Sequence, residues 1–333
     1  MNWLIPGDES TLEVTIGYEQ VAVDLTSWVA QNEPDAYLRQ VYEFGLLEDF
    51  DHLYRYANLL QMLEGKRAEE IVGGLTEIMP GRPTIFEHRD PRDEVRRPMT
   101  ALAADPQSVL NALTIMAAEQ QTMNFYMTIG NRPMEPLARG LYLEIAEIEE
   151  QHVTQYESIL DPSTTWLANL VLHEYNECWL YYSFMQQEPD PGVKAVYELH
   201  LNMEIEHLRI AAEMMRQIER RDPEELLPPA IENPVVFQEN KEYVRQVLAN
   251  QIDLTSRESK FLPVQKLGRE DRYYAYQAVV NRNGVPSEAV IEAARSELGE
   301  DYRLETEGPH PVPGLVRESE RDGAETAYAA AAE

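Results

Sequence analysis

Residues 141–160 read LYLEIAEIEEQHVTQYESIL, and residues 196–215 read VYELHLNMEIEHLRIAAEMM. Each stretch carries a glutamate and a histidine three positions apart, Glu149 with His152 and Glu204 with His207. Residues three apart on a helix share a face, so each acid and its imidazole can hold one metal ion together. Thirty residues before Glu149 stands Glu119, and thirty before Glu204 stands Glu174. On an antiparallel hairpin of helices about 20 residues long, rising about 1.5 Å per residue, that separation puts both carboxylates near mid-height. Seven residues after Glu119 comes Tyr126, and seven after Glu174 comes Tyr181. The pattern reads as an internal duplication: helix with Glu, turn, helix with Glu-x-x-His, twice. A weaker copy precedes both, with Glu19 and, thirty residues on, Asp49 followed by His52.

The surrounding chain is punctuated as helices require. Four clear helices are expected, over about Ser108 to Ile129, Pro136 to Leu160, Ser163 to Gln186 and Gly192 to Arg220, with proline or glycine at each junction. Upstream, apolar residues recurring at three and four predict a helix over about Asp35 to Glu64. Residues 1–17 read as an irregular lead-in with a β-prone run from Leu12 to Ile16, and Tyr18 to Gln31 as a short helix. Residues 65–107 break the pattern with prolines and a basic island (Arg82, Arg89, Arg92, Arg96, Arg97), and a loop that long is usually functional or makes a crossover. The arginines are expected to make ion pairs within an acidic protein, and His88, in the polar stretch Glu87-His88-Arg89-Asp90, either closes the site like a lid or only pins the crossover. Beyond Asp222 come a linker, helices over about Lys241 to Ile252 and Ser287 to Leu298, and a terminal tail.

The charge is unusual, with 59 acidic against 28 basic residues and a net of −31. Such a field repels phosphate backbones and makes nucleic acid an unsuitable partner. The single cysteine, Cys178, rules out a disulfide framework and a cysteine-ligated iron centre. No run approaches the about 18 apolar residues that span a bilayer. The opening MNWLIPGDES has no basic segment followed by an apolar run. A cytoplasmic protein with no membrane partner is expected.

Four carboxylates and two imidazoles converging on one core suit iron or manganese, because hard oxygen donors with imidazole leave coordination positions open. A lone Glu-x-x-His is more readily a hydrogen-bonded core pair than a metal site. Two of them with matched upstream glutamates weigh towards a metal, since burying four carboxylates without cations costs on the order of several kcal/mol each or forces protonation.

Over about residues 108–220 the chain resembles the ferritin-like di-iron carboxylate superfamily, most closely its rubrerythrin-like branch without the rubredoxin domain. The resemblance implies an all-α fold: a ferritin-like four-helix bundle at 108–220, additional N-terminal helices with a crossover over 1–107, and a C-terminal helical extension over 221–333. It implies Glu119, Glu149, His152, Glu174, Glu204 and His207 as ligands of two iron ions, with manganese as the alternative. Glu149 and Glu204 would bridge, Glu177 would be an additional switching ligand, and Tyr126 and Tyr181 would lie behind the ligands.

Two features depart from that pattern. The cysteine-ligated iron that delivers electrons in rubrerythrins cannot be built here, so an external electron donor is implied. The tight turn at Leu160 to Ser163 replaces the long connection normal between helices two and three, whereas a long connection does exist at 65–107. A bundle of the first copy with the second is therefore the alternative, leaving the third hairpin outside. The closer residue match favours the second and third copies, with Asp49 and His52 as reserve ligands. The implied function is an oxidoreductase acting on oxygen or peroxide, with homodimers common in the superfamily. A non-catalytic iron-binding or storage protein and an oxygenase of an organic substrate are the alternatives.

Overall fold

The computed structural model describes residues 7–100, 102–228, 233–301 and 309–315. The fold is all-helical. Its elements are α1 (Thr11–Asn32), α2 (Ala36–Glu64), a single turn α3 (Glu69–Val72), α4 (Pro106–Ile129), α5 (Pro136–Ile159), α6 (Trp166–Gln187) and α7 (Pro191–Met214). Then follow α8 (Lys241–Gln251), a β-hairpin of β1 (Leu254–Arg257) and β2 (Lys260–Pro263), α9 (Arg272–Val280) and α10 (Pro286–Leu298). Of the tail expected over residues 308–333, residues 309–315 are described, and 308 and 316–333 lie outside the described residues.

Local chemistry sets the helix starts. The Asp35 carboxylate accepts from the backbone N–H groups of Tyr37 and Leu38, at 2.8 and 3.1 Å. Asp105 and Asp190 cap α4 and α7, each followed by a proline at the first helical position. The lead-in expected over residues 1–17 is corrected from Thr11 onward. Ser10 and Glu13 form a reciprocal capping box, Ser10 N–H to Glu13 Oε2 at 2.7 Å and Glu13 N–H to Ser10 Oγ at 3.2 Å. Helix α1 therefore starts a full two turns earlier than the apolar pattern suggests, and runs through Gly17.

Side-chain contacts fix how the helices run. The end of α1 meets the start of α4, where Glu33 accepts from Ser108 Oγ and from Asn111 Nδ2 (2.9 Å). Thr15 at the start of α1 meets Tyr142 at the start of α5, 2.7 Å apart. Tyr42 early in α2 stacks on Tyr156 late in α5. Hence α1 is antiparallel to α4, and α2 is antiparallel to α5. Within the two antiparallel hairpins α1–α2 and α4–α5, this makes α2 and α4 run the same way. Parallel helices cannot be joined by a tight turn, so the chain must travel the length of the bundle, and residues 65–105 do so.

The bundle is thus built from the first and second copies of the hairpin. The expectation that α4 to α7 form it is corrected. Aromatic and aliphatic residues of α1, α2, α4 and α5 share one continuous core with α8 and α10. Helix α2 has 20 of its 29 residues buried, because α8 and α10 cover the side that faces away from the bundle centre. Helix α6 packs through Trp179 against Trp28 of α1, with ring centroids 5.9 Å apart. Helix α7 packs on α6 and buries only Leu201, Ala211 and Ala212. The physical reason is burial: α2 hides residues on nearly every side, apolar ones in the shared core and charged ones such as Glu48, Asp51 and Arg55 in ion pairs, and the hairpin α6–α7 alone does not enclose them.

Residues 233–301 belong to this packing. Strand β1 pairs with β2 in the register Leu254 to Pro263 and Arg257 to Lys260. The hairpin and α9 grip the crossover at Asp93, whose carboxylate takes Arg257 (3.0 Å) and Arg272 Nε (2.8 Å). Among the described residues, no helix is long and apolar enough to cross a membrane.

Candidate metal centre

At mid-height of the four helices, α1 supplies Glu19, α2 supplies Asp49 and His52, α4 supplies Glu119, and α5 supplies Glu149 and His152. All six are buried. Glu149 lies between the two imidazoles, with Oε1 3.0 Å from His52 Nδ1 and Oε2 3.1 Å from His152 Nδ1. His152 Nδ1 also lies 3.4 Å from Asp49 Oδ1 and 3.5 Å from Glu119 Oε2. Asp49, Glu119, Glu149 and His152 each bring a ligand atom within 4.8 Å of the others, as do Glu19, His52 and Glu149. The two groups share Glu149, so the site offers two adjoining positions where a metal ion could be held.

Each imidazole is fixed from behind. His52 Nε2 is 3.0 Å from Glu87 Oε2, and His152 Nε2 is 2.9 Å from Glu48 Oε2. When Nε2–H donates outward, Nδ1 presents its lone pair to the interior of the site, as a metal-ligating histidine requires. Arg89 in turn holds Glu48 through both terminal nitrogens, Nη2 at 2.7 Å, and contacts Glu94 through Nε. Thr26 Oγ1 donates to Asp49 Oδ2 at 3.1 Å, and the Tyr126 hydroxyl donates to Glu19 Oε1.

The electrostatics describe a pocket built for positive charge. Burial drives Glu19 and Glu119 well above the usual carboxylate range. Burial and the neighbouring Glu149 push Asp49 up to about 6, although His152 and His52 oppose the shift. Burial would raise Glu149 too, but His52 and His152 outweigh it and hold that carboxylate below its ordinary range. For both imidazoles burial disfavours charge. The carboxylates around them win, Glu149 and Glu87 for His52 and Glu119 foremost for His152, and both are raised well above an ordinary histidine. All four shifts, on His52, His152, Glu19 and Glu119, favour added positive charge in this interior, which a cation can also supply.

Orphaned polar atoms mark the same positions. Glu19 Oε2 and Asp49 Oδ1 are buried without a hydrogen-bond partner. Such atoms are costly in a folded interior unless an ion or water answers them. Donor type, the shared carboxylate and these free oxygens fit a carboxylate–imidazole metal site.

The expected ligands divide into two sets. Glu119, Glu149 and His152 are in the buried cluster. Glu174, Glu204 and His207 are not; they form a separate group on α6 and α7, with His207 exposed. The six do not converge, because α6–α7 packs against the outside of the bundle. Glu177 lies on α6 with that outer group, as does Tyr181, so neither is near the buried cluster. Asp49 and His52, expected as reserves, stand inside it with Glu19.

Three residues that the sequence did not single out as site residues complete the surroundings: Glu48, Glu87 and the salt-bridging Arg89. Glu87 sits in the crossover stretch Glu87-His88-Arg89-Asp90, whose unusual polarity was the available signal. His88 is buried with Nε2 unpartnered, and burial together with Arg89 lowers it to about 4. Of the basic island, Arg82, Arg89 and Arg96 are buried and Arg92 pairs with Asp90 at 2.8 Å. No family model, no curated protein and no solved structure matches the chain.

Proposed function

We propose that the protein is a dinuclear metal oxidoreductase of the ferritin-like type, binding two iron ions between α1, α2, α4 and α5 and reacting with oxygen or peroxide. The observation that carries this reading is Glu149, whose two oxygens each approach a different imidazole Nδ1 while both Nε2 atoms are tied to carboxylates behind them. That arrangement matches one glutamate from each of two helices and an acid-x-x-His motif from each of the other two.

Glu149, which belongs to both ligand groups, would be shared by the two positions, with Asp49 on the side of Glu119 and His152. Glu19 with His52, and Glu119 with His152, would complete the separate positions. When bound, a pair of iron ions supplies electrons two at a time to oxygen or peroxide. The chain's own part is to orient and exclude. Glu87 and Glu48 hold the imidazoles, Tyr126 positions Glu19 and can share its proton, and buried Tyr156 packs edge-on beside His152. The one cysteine, buried Cys178, makes no iron centre for electron delivery, so electrons would come from a separate donor.

The test is metal analysis of protein purified without chelator, followed by anaerobic loading with ferrous iron and exposure to peroxide with a generic reductant. About two irons per chain are expected at the buried site, with turnover that Glu149→Ala abolishes together with most of the iron. Less than about one metal per chain would reject a dinuclear centre. Full iron without turnover would leave an iron-binding protein.

A further inference from the structure

The chain carries three hairpins of one design but only one complete ligand set. Glu19 with Asp49 and His52 is one half; Glu119 with Glu149 and His152 is the other. The third hairpin repeats the half-set: Glu174 on α6 and Glu204 with His207 on α7, each offering a ligand atom within 4.8 Å of the others. His207 Nδ1 lies 2.8 Å from Glu204 Oε2 and 3.8 Å from Glu174 Oε2. No fourth hairpin of this kind faces it among the described residues. We propose that a second copy of this chain does, docking about a two-fold axis so that Glu174, Glu204 and His207 of both copies enclose a second metal centre.

Two independent observations support that occupant. The first is the stripe beside the ligands. Leu199, Met203, Ile210 and Met214 follow helical spacing along the same side of α7 as His207 and are 59, 48, 44 and 38% exposed. From Glu149 to Glu204 is 55 residues, and 55 residues before these four stand Glu144, Ile148, Gln155 and Ile159 of α5. All four α5 residues are buried; Glu144 accepts from Ser287 of α10, Gln155 donates to the Val41 carbonyl of α2, and Ile159 lies in a core shared with α1 and α2. The third hairpin therefore carries apolar side chains, uncovered, where its counterpart is covered. The second observation is the count of ligands. An isologous dimer doubles whatever one face presents. Doubling one Glu and one Glu-x-x-His gives two of each, the inventory of the buried cluster. A partner lacking that half-set would leave the new site incomplete; this chain has it.

The charge makes the assembly conditional. Each chain bears a net charge of −31, and the joined faces would bring four carboxylates together. Like charges at that distance repel unless cations lie between them. Dimerisation is thus metal-dependent, and the ions are shared between copies. The inference rests on the metal reading of the ligand set given above, although it concerns a different site.

The experiment is light scattering with sedimentation equilibrium on the full chain, in chelator and in manganese or anaerobic ferrous iron, with metal counted per chain. The expected result is a 38.3 kDa monomer in chelator and a dimer with metal. Its metal content would be about three ions per chain, two held within the chain and one shared with its mate. Glu204→Ala, a change at a partly exposed position, is expected to leave a monomer with about two ions per chain. Met203→Glu, which touches no ligand, is expected to weaken the dimer about 10-fold or more while the buried site still fills. A chain that binds two ions yet stays monomeric overturns the inference and leaves the buried site standing. So does a dimer indifferent to chelator or to Glu204→Ala. A chain that takes up no metal at all overturns both.

Discussion

At the scale of single residues, the site is set by groups that never touch its centre as much as by those that do. Glu87 arrives from the crossover to hold His52, and its removal tests whether that hold matters. Burial and the nearby Asp51 drive the Glu87 carboxyl up to about 8, against the pull of His52. Glu87→Gln is expected to weaken metal binding on the order of 10-fold in a competition titration with a chromophoric chelator, while the fold survives. An unchanged affinity would mean that His52 is oriented by packing alone. Asp24, whose partners are Thr76 and Asn240 and not the cluster, gives a cleaner titration. Burial raises it to about 6 despite hydrogen bonds from Thr76 (2.8 Å) and Asn240. A carboxyl whose folded pKa exceeds its unfolded value near 4 stabilises the fold least once ionised. Stability therefore falls as pH rises from about 4 to 6 and stays low above. Asp24→Asn keeps an acceptor for both donors without the charge, and should gain about 2 kcal/mol at pH 8 and nothing at pH 4 in urea titrations.

At the scale of elements, close approach decides which helices pair. Gly45 of α2 lies where an added Cβ would sit 1.9 Å from the Tyr156 hydroxyl of α5. The missing side chain is what lets α2 and α5 come together beside the imidazoles. Gly45→Ala is expected to lose about 1–3 kcal/mol by thermal denaturation, since the tyrosine must move within a filled core. A melting temperature equal to the parent's would show that Tyr156 swings aside freely. At the other end of the bundle, Ser10→Ala removes one arm of the capping box and should cost about 1 kcal/mol, read by the same method. That box was legible in the sequence, since Ser10 precedes Glu13 by three. Gly17 and the β-prone run argue against a helix there, yet neither disturbs one once Ile16, Val23 and Trp28 are buried against its neighbours.

At the scale of the whole molecule, the buried cluster and the fold are linked. Without cations the four helices must enclose protonated acids and charged imidazoles, and with them the same groups are neutralised by coordination. Loading with ferrous iron or manganese should raise the unfolding temperature and release protons, and chelation should lower it; at 1,000-fold excess over Kd the gain is about 4 kcal/mol. Equal melting with and without metal would argue that no ion is bound by the native state alone. The sequence by itself determined the helical class, the boundaries of α2 and α4 to α7 to within a few residues except where a π-helical turn at Met215–Glu219 succeeds α7, and the repeated half-set of one acid and one acid-x-x-His, because all of these depend on spacing along the chain. Which two of the three half-sets meet was decided only by tertiary packing. Residue likeness pointed to the second and third, but α2 is buried on almost every side, its charged residues Glu48, Asp51 and Arg55 included, and α5, α8 and α10 around the first hairpin are what enclose it. Periodicity within a helix says which face it hides; the competition among helices for a buried place says what that face meets.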